Sequence, residues 1–575
     1  MLRKSISKFY VELEKYTYIV YHIHIIGGIK LMSFKLKFLG KEKEFEKNIK
    51  LLDLIENNDK SYICARVNNR LRELTYEVYY DANVEFLTVK DIDAIKIYEA
   101  SLRFVVAMAF ARVYPNIKVR FCYNVSRSIF IQLLNGKANL DMKNKIEKEM
   151  NKIIDADLPL KRFVVSKEEA KEVYEKNNLL DKLDILQYRP EKTVHLYDCN
   201  GYVNYMYSHM VPSTGYLKAF KLRLYQPGLI LQYPRAECKG EIPEFVDAPT
   251  FGKTLKESHA WGQIAGADSV AGINNHIAVD GVIDFIQLCE ARHNRMLSEL
   301  GDIIEGDISN IRLICIAGPS SSGKTTFANR LRIELLSRGI KPIRISIDDY
   351  YLPKSLAPID EDGKPDLESI EALDIELFNK DMLALIEGEE VQLPKFDFKL
   401  GKRVPGRILK VGENEPIIIE GIHALNERMT TLIPRHQKFK IFIAPQAQIN
   451  LDNTNPVSIT DLRLLRRIVR DYKFRGASAE ETMSMWPSVR RGEFKWIYDT
   501  QEDANYVYNS MLSYELCVMK KYAMPLLKNI EQDNEYFPIA ERLIRMLKYF
   551  DDMPDEWVPC NSLMREFIGG SCYAD

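Results

Sequence analysis

Residues 318–325 read GPSSSGKT and fit the pattern G-x-x-x-x-G-K-[ST]. Such a loop binds phosphate because its glycines let consecutive backbone N–H groups curl around an anion, and a helix beginning at its end adds positive potential. Lys324 would reach the β- and γ-phosphates of a nucleotide, and the Thr325 hydroxyl would be offered to Mg²⁺. Gly318, Ser320, Ser321, Ser322 and Gly323, with Lys324, Thr325 and Thr326 at the helix start, are therefore the candidate ATP contacts. A guanine-reading N-K-x-D tetrapeptide does not occur after Lys324, which argues against a GTPase. Asp348, in SIDDYY, follows the next strand and could accept the proton of an incoming hydroxyl beside the γ-phosphate. It could equally be a capping residue or a metal ligand.

The elements that must position these groups follow from the hydrophobic pattern. Leu313 to Ala317 is a short, fully apolar run, and Phe327, Leu331, Leu335 and Leu336 recur at helical spacing. The loop thus joins a buried strand to a helix. KPIRISID (341–348), a helix around 370–385, and the apolar strands 416–421 and 438–444 continue the alternation. This predicts an α/β P-loop fold, a parallel sheet with helices on both faces and ligands at the carboxyl ends of its strands. A helical C-terminal third is expected over 504–527 and 538–549. The tail NSLMREFIGGS suggests no chemistry.

Length and composition set limits. A chain of 575 residues is too long for one core. Lys plus Arg (80) nearly balance Asp plus Glu (81), so no global field favours nucleic acid or membrane. Nine cysteines without a CxxC pair suit reduced thiols in a cytoplasm. No apolar run approaches a membrane span, and YIVYHIHIIGGI is short and follows acidic residues, so it does not read as a signal peptide.

Over roughly 311–530 the chain resembles the uridine kinase and phosphoribulokinase family. GPSSSGKTT, SIDDYY, PDLESIEALD, LPKFDF with Lys402-Arg403, IIIEG and LRLLRRIVRD occur in the family's order. The resemblance implies that Asp348 is the catalytic base, acting with Lys324, and that Tyr351 lines a nucleoside site. Glu368, Phe396, Phe398 and Arg403 would fall on the acceptor side. Glu420 would join Thr325 in holding Mg²⁺, directly or through water. Arg467, Arg470 and Arg475 would belong to a lid helix closing on the phosphates, although a solvated basic face would give the same pattern. Four positions depart from the family: Glu368 replaces an aspartate, Phe396 a tyrosine, Gly401 a pyrimidine-reading histidine and Ala477 a lid arginine. Lost hydrogen-bond donors weaken discrimination between bases. Phosphoryl transfer from ATP to a hydroxyl is the expectation. The 5′-hydroxyl of a uridine- or cytidine-like nucleoside is the first acceptor, and another small alcohol remains open.

The front half resembles a different family. Alternation from Ser33, a charged second strand, a short helix (LLDLIENN) and a turn at Val67-Asn68-Asn69-Arg70 suggest a β-grasp, ubiquitin-like module similar to the TGS domain of threonyl-tRNA synthetases. A helix over 98–114 and HMVPSTGYLKAFKL resemble their second additional (editing) domain, of α+β type. No histidine lies between His24 and His195, so two of four expected metal ligands are missing and a tetrahedral site cannot form. His195, Cys199 and His209 then read as packing or surface residues. The expected domains are a poorly ordered extension (1–31), a TGS-like domain (32–97), an editing-like domain without its metal site (98–240), and a connector with a helix over 279–304 (241–305). The kinase domain (306–535) and a C-terminal helix and tail (536–575) complete the chain. This combination resembles long, chiefly bacterial nucleoside kinases. A translation-linked regulator on tRNA or the ribosome is the rival, and it would need a local basic patch, for which Arg103, Arg112, Lys118, Arg120 and Arg127 are candidates. Oligomeric state is left open, a homo-oligomer included.

Overall fold

The computed structural model describes residues 33–573 except 362, 398–399, 413–414 and 447–448. The expectations for residues 1–31 and for Phe398 lie outside these.

The first sheet contains β1 (Phe34–Phe38), β2 (Lys41–Phe45), β3 (Tyr62–Val67), β4 (Arg70–Arg72) and β5 (Ala82–Thr88). Its order is β2-β1-β5-β3-β4, with β1 and β5 parallel and the other pairs antiparallel. The β3–β4 turn sits where expected, with Asn68 and Asn69 both at positive φ (47° and 60°), the geometry of a tight hairpin. LLDLIENN forms two short 3-10 turns instead of a helix, because Asn57 enters the left-handed region (φ 56°).

Helix α1 (Ile92–Val113) starts earlier than expected and is buried along most of its length. Beyond it lie β6 (Val119–Val125), β7 (Ser128–Leu133), α2 (Leu140–Asp155), β8 (Lys161–Ser166), α3 (Lys167–Lys176), α4 (Leu180–Leu186), β9 (Thr193–Cys199) and β10 (Tyr202–Asn204). Strands β11 (Lys221–Tyr225) and β12 (Gly228–Gln232) complete two sheets, ordered β11-β12-β7-β6 and β8-β9-β10. Helices α5 (Pro249–Ile264), α6 (Val270–Asn275) and α7 (Val282–Gly306) then lead to the second half.

That half is built on β13 (Leu313–Ala317), α8 (Lys324–Ser337), β14 (Ile343–Ser346), α9 (Ile375–Ile386), the hairpin β15 (Val391–Asp397) and β16 (Lys402–Leu409), β17 (Ile417–Glu420) and β18 (Lys438–Ala444). A small hairpin, β19 (Asn450–Asp452) and β20 (Asn455–Pro456), precedes α10 (Ile459–Arg475) and α11 (Ala479–Gly492). Then come β21 (Tyr506–Asn509), α12 (Glu515–Lys528), α13 (Phe537–Leu547) and α14 (Arg565–Ile568). The central sheet runs β14-β17-β13-β18-β21, parallel throughout. Every residue of β13 is buried: Ile314 and Ile316 face one apolar core, Leu313, Cys315 and Ala317 the other. Helices thus cover both faces, as the near-continuous apolar strands require.

Strand β21 corrects the expectation of helix from residue 504. YVYN is too short for a period to show, and it becomes a strand by pairing with β18 while Tyr508 donates to the His293 carbonyl of α7 (3.2 Å).

The two halves share interior. Tyr123, Phe130 and Ile230 of the front sheets lie in the same apolar cluster as Leu313, Ile419 and Phe442 of the central parallel sheet. A buried charge cluster also joins them. Asp461, in the first turn of α10, binds Lys96 of α1 (2.8 Å) and Arg542 of α13 (3.2 Å), and Arg542 pairs with Asp93 (2.8 Å), which in turn holds Arg66 of β3 (2.9 Å). Burial alone would raise the Asp461 carboxyl, but Arg542 and Lys96 outweigh it and hold it at about 2. Removing one member leaves uncompensated buried charge. Asp461→Ala should therefore lose about 3–5 kcal/mol of stability in denaturant unfolding. A loss below about 1 kcal/mol would show that the cluster does not join the halves.

Candidate functional site

The site is built where β13 leaves the sheet. A Cβ on Gly318 would collide with the Ile443 carbonyl of β18, so only glycine lets the loop turn there. Ser321 (φ 59°) and Gly323 (φ 90°) take the left-handed region, and α8 begins at Lys324. The Ser321 and Ser322 hydroxyls are buried without a hydrogen-bond partner. Unpaired hydroxyls at the mouth of a helix suit an anion that would accept from them. Lys324 folds back on the loop, its Nζ donating to the carbonyls of Gly318 (3.0 Å) and Pro319 (3.3 Å).

Carboxylates reach the same place from neighbouring strand tips. Glu420 ends β17 in register with Ile316 of β13 and Ser346 of β14. Asp348 lies in the 3-10 turn 347–350 directly after β14. Burial raises Asp348 and depresses Lys324, while each charge favours the other. Burial, assisted by Asp348, lifts Glu420 to about 7 against the pull of Lys324 and Arg344. Lys324, Asp348 and Glu420 thus share one electrostatic neighbourhood.

Beside Asp348, the Tyr351 hydroxyl donates to the Leu367 carbonyl (2.9 Å), and its ring meets Phe396 edge-on at 5.8 Å. The Phe396 N–H donates to Asp349 (3.2 Å). Glu368 is pushed to about 7 by burial, with Arg467 opposing and Glu493 assisting. Arg403, beside the turn of the β15–β16 hairpin, is paired with Asp374 (2.9 Å). The structure therefore brings Tyr351, Glu368 and Phe396 to the Asp348 side and ties Arg403 to a carboxylate of its own.

Helix α10 departs from a solvated basic face over most of its length, although Arg475 at its end is exposed. Arg463, Arg466 and Arg467 are buried. Arg467 donates to the Ser320 hydroxyl (2.7 Å), whereas Arg470 and Arg475 pair with Asp471 at 2.7 and 3.6 Å. Sequence reasoning missed Arg463 and Arg466. Arg463 donates to the Ser320 carbonyl (3.0 Å) and is neutralised by Glu493; Arg466 donates to the Ser321 carbonyl (3.3 Å) and pairs with Glu515 (2.5 Å). Their spacing in RLLRR was visible, but nothing local announced their burial. The tail was also passed over, yet Glu566 accepts from the Thr326 N–H (3.1 Å).

The residues present fit ATP with Mg²⁺. Mg²⁺ is ordinarily held by one or two carboxylates, phosphate oxygens and water, without a full protein cage. Thr325, Glu420 and Asp348 offer that donor set. Among the described residues no group of three or more His, Cys, Asp or Glu could hold a metal ion by itself.

Residues 313–515 match the model of the Phosphoribulokinase / Uridine kinase family. The chain carries a domain of that family. Its kinase-family domain is preceded by a region homologous to threonyl-tRNA synthetases. The threonine–tRNA ligase of Thermotoga petrophila is 32% identical over 197 residues, 33% of this chain and 30% of the ligase. The chain thus spans under a third of the length of these curated relatives. Among solved structures, one described as a possible uridine kinase from Bacillus stearothermophilus is 20% identical, covering 23% of this chain and 70% of its own, with a TM-score of 0.20. A D-glycerate 3-kinase from Cryptococcus neoformans is 14% identical over 44% of this chain and 87% of its own, with a TM-score of 0.21.

The raised Glu420 carboxyl has a consequence for stability in the kinase-family domain. A carboxyl raised on folding contributes stability below its unfolded value near 4.5, and this is lost as pH rises through about 7, because the charged form is then buried. Without nucleotide, Glu420→Gln should match the wild type at pH 5 and be more stable at pH 8 by on the order of 2–3 kcal/mol, read from denaturant midpoints. Equal stability at both pH values would show that Glu420 is not titrating as a buried acid.

Proposed function

We propose that this protein is an ATP-dependent kinase that transfers the γ-phosphoryl group to the 5′-hydroxyl of a nucleoside. The observation that carries the reading is the meeting of Lys324, Asp348 and Glu420 at the strand tips beneath the arginines of α10. The loop and Lys324 hold the triphosphate. Thr325 and Glu420 would hold Mg²⁺, which would supply neutralisation of phosphate charge. Asp348 takes the proton of the acceptor hydroxyl, and its burial favours that role by strengthening it as a base. Arg467, Arg470 and Arg475 meet the charge that spreads over the equatorial oxygens during transfer. Gly318, Ser320, Ser321, Ser322, Gly323 and Thr326 complete the ATP contacts.

Tyr351, Phe396 and Glu368 give the acceptor an aromatic wall and a carboxylate able to accept from ribose hydroxyls. Phe396 and Gly401 supply no base-reading side-chain donor, which supports a broad or altered base preference over strict uridine recognition. Another small alcohol remains the alternative acceptor on the same machinery.

We assign residues 32–97 to a TGS-like β-grasp domain, a reading that the strand order β2-β1-β5-β3-β4 supports. Residues 98–240 form an editing-like domain without its metal, 241–305 the connector, 306–535 the kinase domain and 536–575 the terminal helix and tail. A translation-linked role on tRNA is less favoured, since the five candidate basic residues are engaged within the chain. Arg103 holds Glu99, Arg112 holds Glu149 and Arg120 holds Asp268. Lys118 donates to the Asn178 carbonyl, and Arg127 lies over Phe494. Among the described residues no helix is long and apolar enough to cross a membrane.

Purified protein with ATP, Mg²⁺ and a panel of nucleosides and small alcohols tests the reading. A labelled nucleoside 5′-monophosphate is expected, and phosphorylation of a non-nucleoside alcohol alone would reassign the acceptor. Lys324→Ala should abolish turnover. Asp348→Asn should lower kcat at least about 100-fold with little change in ATP affinity, as expected for a lost general base. Full activity in Asp348→Asn would remove it from that role.

A further inference from the structure

The C-terminal tail returns to the phosphate loop from far along the chain. Glu566, which accepts from the Thr326 N–H, is 240 residues downstream of it. The first turn of a helix leaves N–H groups without an intrahelical partner, and in a loop of this kind those are the donors that take a nucleotide's phosphates. Thr326 is itself buried, so its N–H has few alternatives to Glu566 or a ligand. The same carboxylate lies close enough to act electrostatically on both Lys324 and Glu420. An anion therefore already stands in the anion site.

The segment is built to stay there. Leu563 packs against Gly323, and Leu563, Phe567 and Ile568 are buried in the main apolar cluster. The Arg466 guanidinium, which also holds the Ser321 carbonyl, stacks on Phe567 at 4.9 Å. Lys473 of α10 donates to the Ile568 carbonyl (2.5 Å). The arginine helix thus grips the loop and the tail together.

We infer that residues 559–568 form an inhibitory strap, with Glu566 occupying the position of a nucleotide phosphate at the start of α8, so that ATP binds only when this contact is released. The inference rests on the reading of the loop as an ATP site. A carboxylate and a phosphate oxygen cannot share one N–H, and like charges so close repel. Removing the carboxylate frees a donor and lowers the negative potential.

The test is binding of a fluorescent ATP analogue with Mg²⁺ to the full-length wild type, Glu566→Ala, Glu566→Gln and Glu566→Ala combined with Lys324→Ala. Thermal unfolding checks that each variant is folded. Glu566→Ala should bind about ten-fold more tightly than the wild type, the size expected of one charge-assisted hydrogen bond, and Glu566→Gln, which loses the charge but keeps an oxygen that can accept from the Thr326 N–H, should gain less. Adding Lys324→Ala should reverse the gain. Equal affinity in wild type and both single variants would overturn the strap while leaving the ATP site in place. Absence of binding in all four proteins would overturn the ATP site and the strap with it, as would undiminished binding in the double variant.

Discussion

Two buried arginine–glutamate pairs fix the phosphate loop. Arg463 with Glu493, and Arg466 with Glu515, are withdrawn from water; each arginine also donates to a loop carbonyl, and Arg466 donates to the Ser510 carbonyl as well. Taking such charges out of water is costly, and only good geometry with every donor used offsets it. The arrangement favours one shape of the loop, because shifting Ser320 or Ser321 would break a buried hydrogen bond to a guanidinium. The loop and the arginine helix are therefore held together.

The carboxylates gain their properties from the same enclosure. Asp348, Glu368 and Glu420 are each raised by burial, with Lys324 as a nearby counter-charge for all three. Burial thus holds three carboxyls above their ordinary range beside Lys324 and the arginines around them. This is stability surrendered for a place where a metal ion and a polyanion would be complementary.

Much of this was legible in the sequence because it is local. The loop, its strand and its helix occupy one continuous stretch, and SIDDYY and IIIEG end strands whose apolar runs announce them. What stayed hidden depends on partners far away. The counterions of Arg463 and Arg466 follow by 30 and 49 residues, so a buried clamp looked like a charged helix face. Strand β21 is defined by its neighbour β18 and by no period of its own. The tail carries no motif, and its importance appears only when its chain path is closed against α8. In the front half, the N-N turn and the hairpins were readable, whereas LLDLIENN lost its helix to backbone preferences at Asn57.

The apolar cluster that runs from Tyr123 and Phe130 into Leu313 and Phe442 bears on how the molecule can be taken apart. Cutting the chain ahead of the kinase-family domain would leave an oily flank wet on each fragment, and exposed flanks of that kind drive aggregation. The joining of a synthetase-like front to the kinase-family domain thus goes past tethering: each half is part of the other's solvent, and neither is a portable cassette.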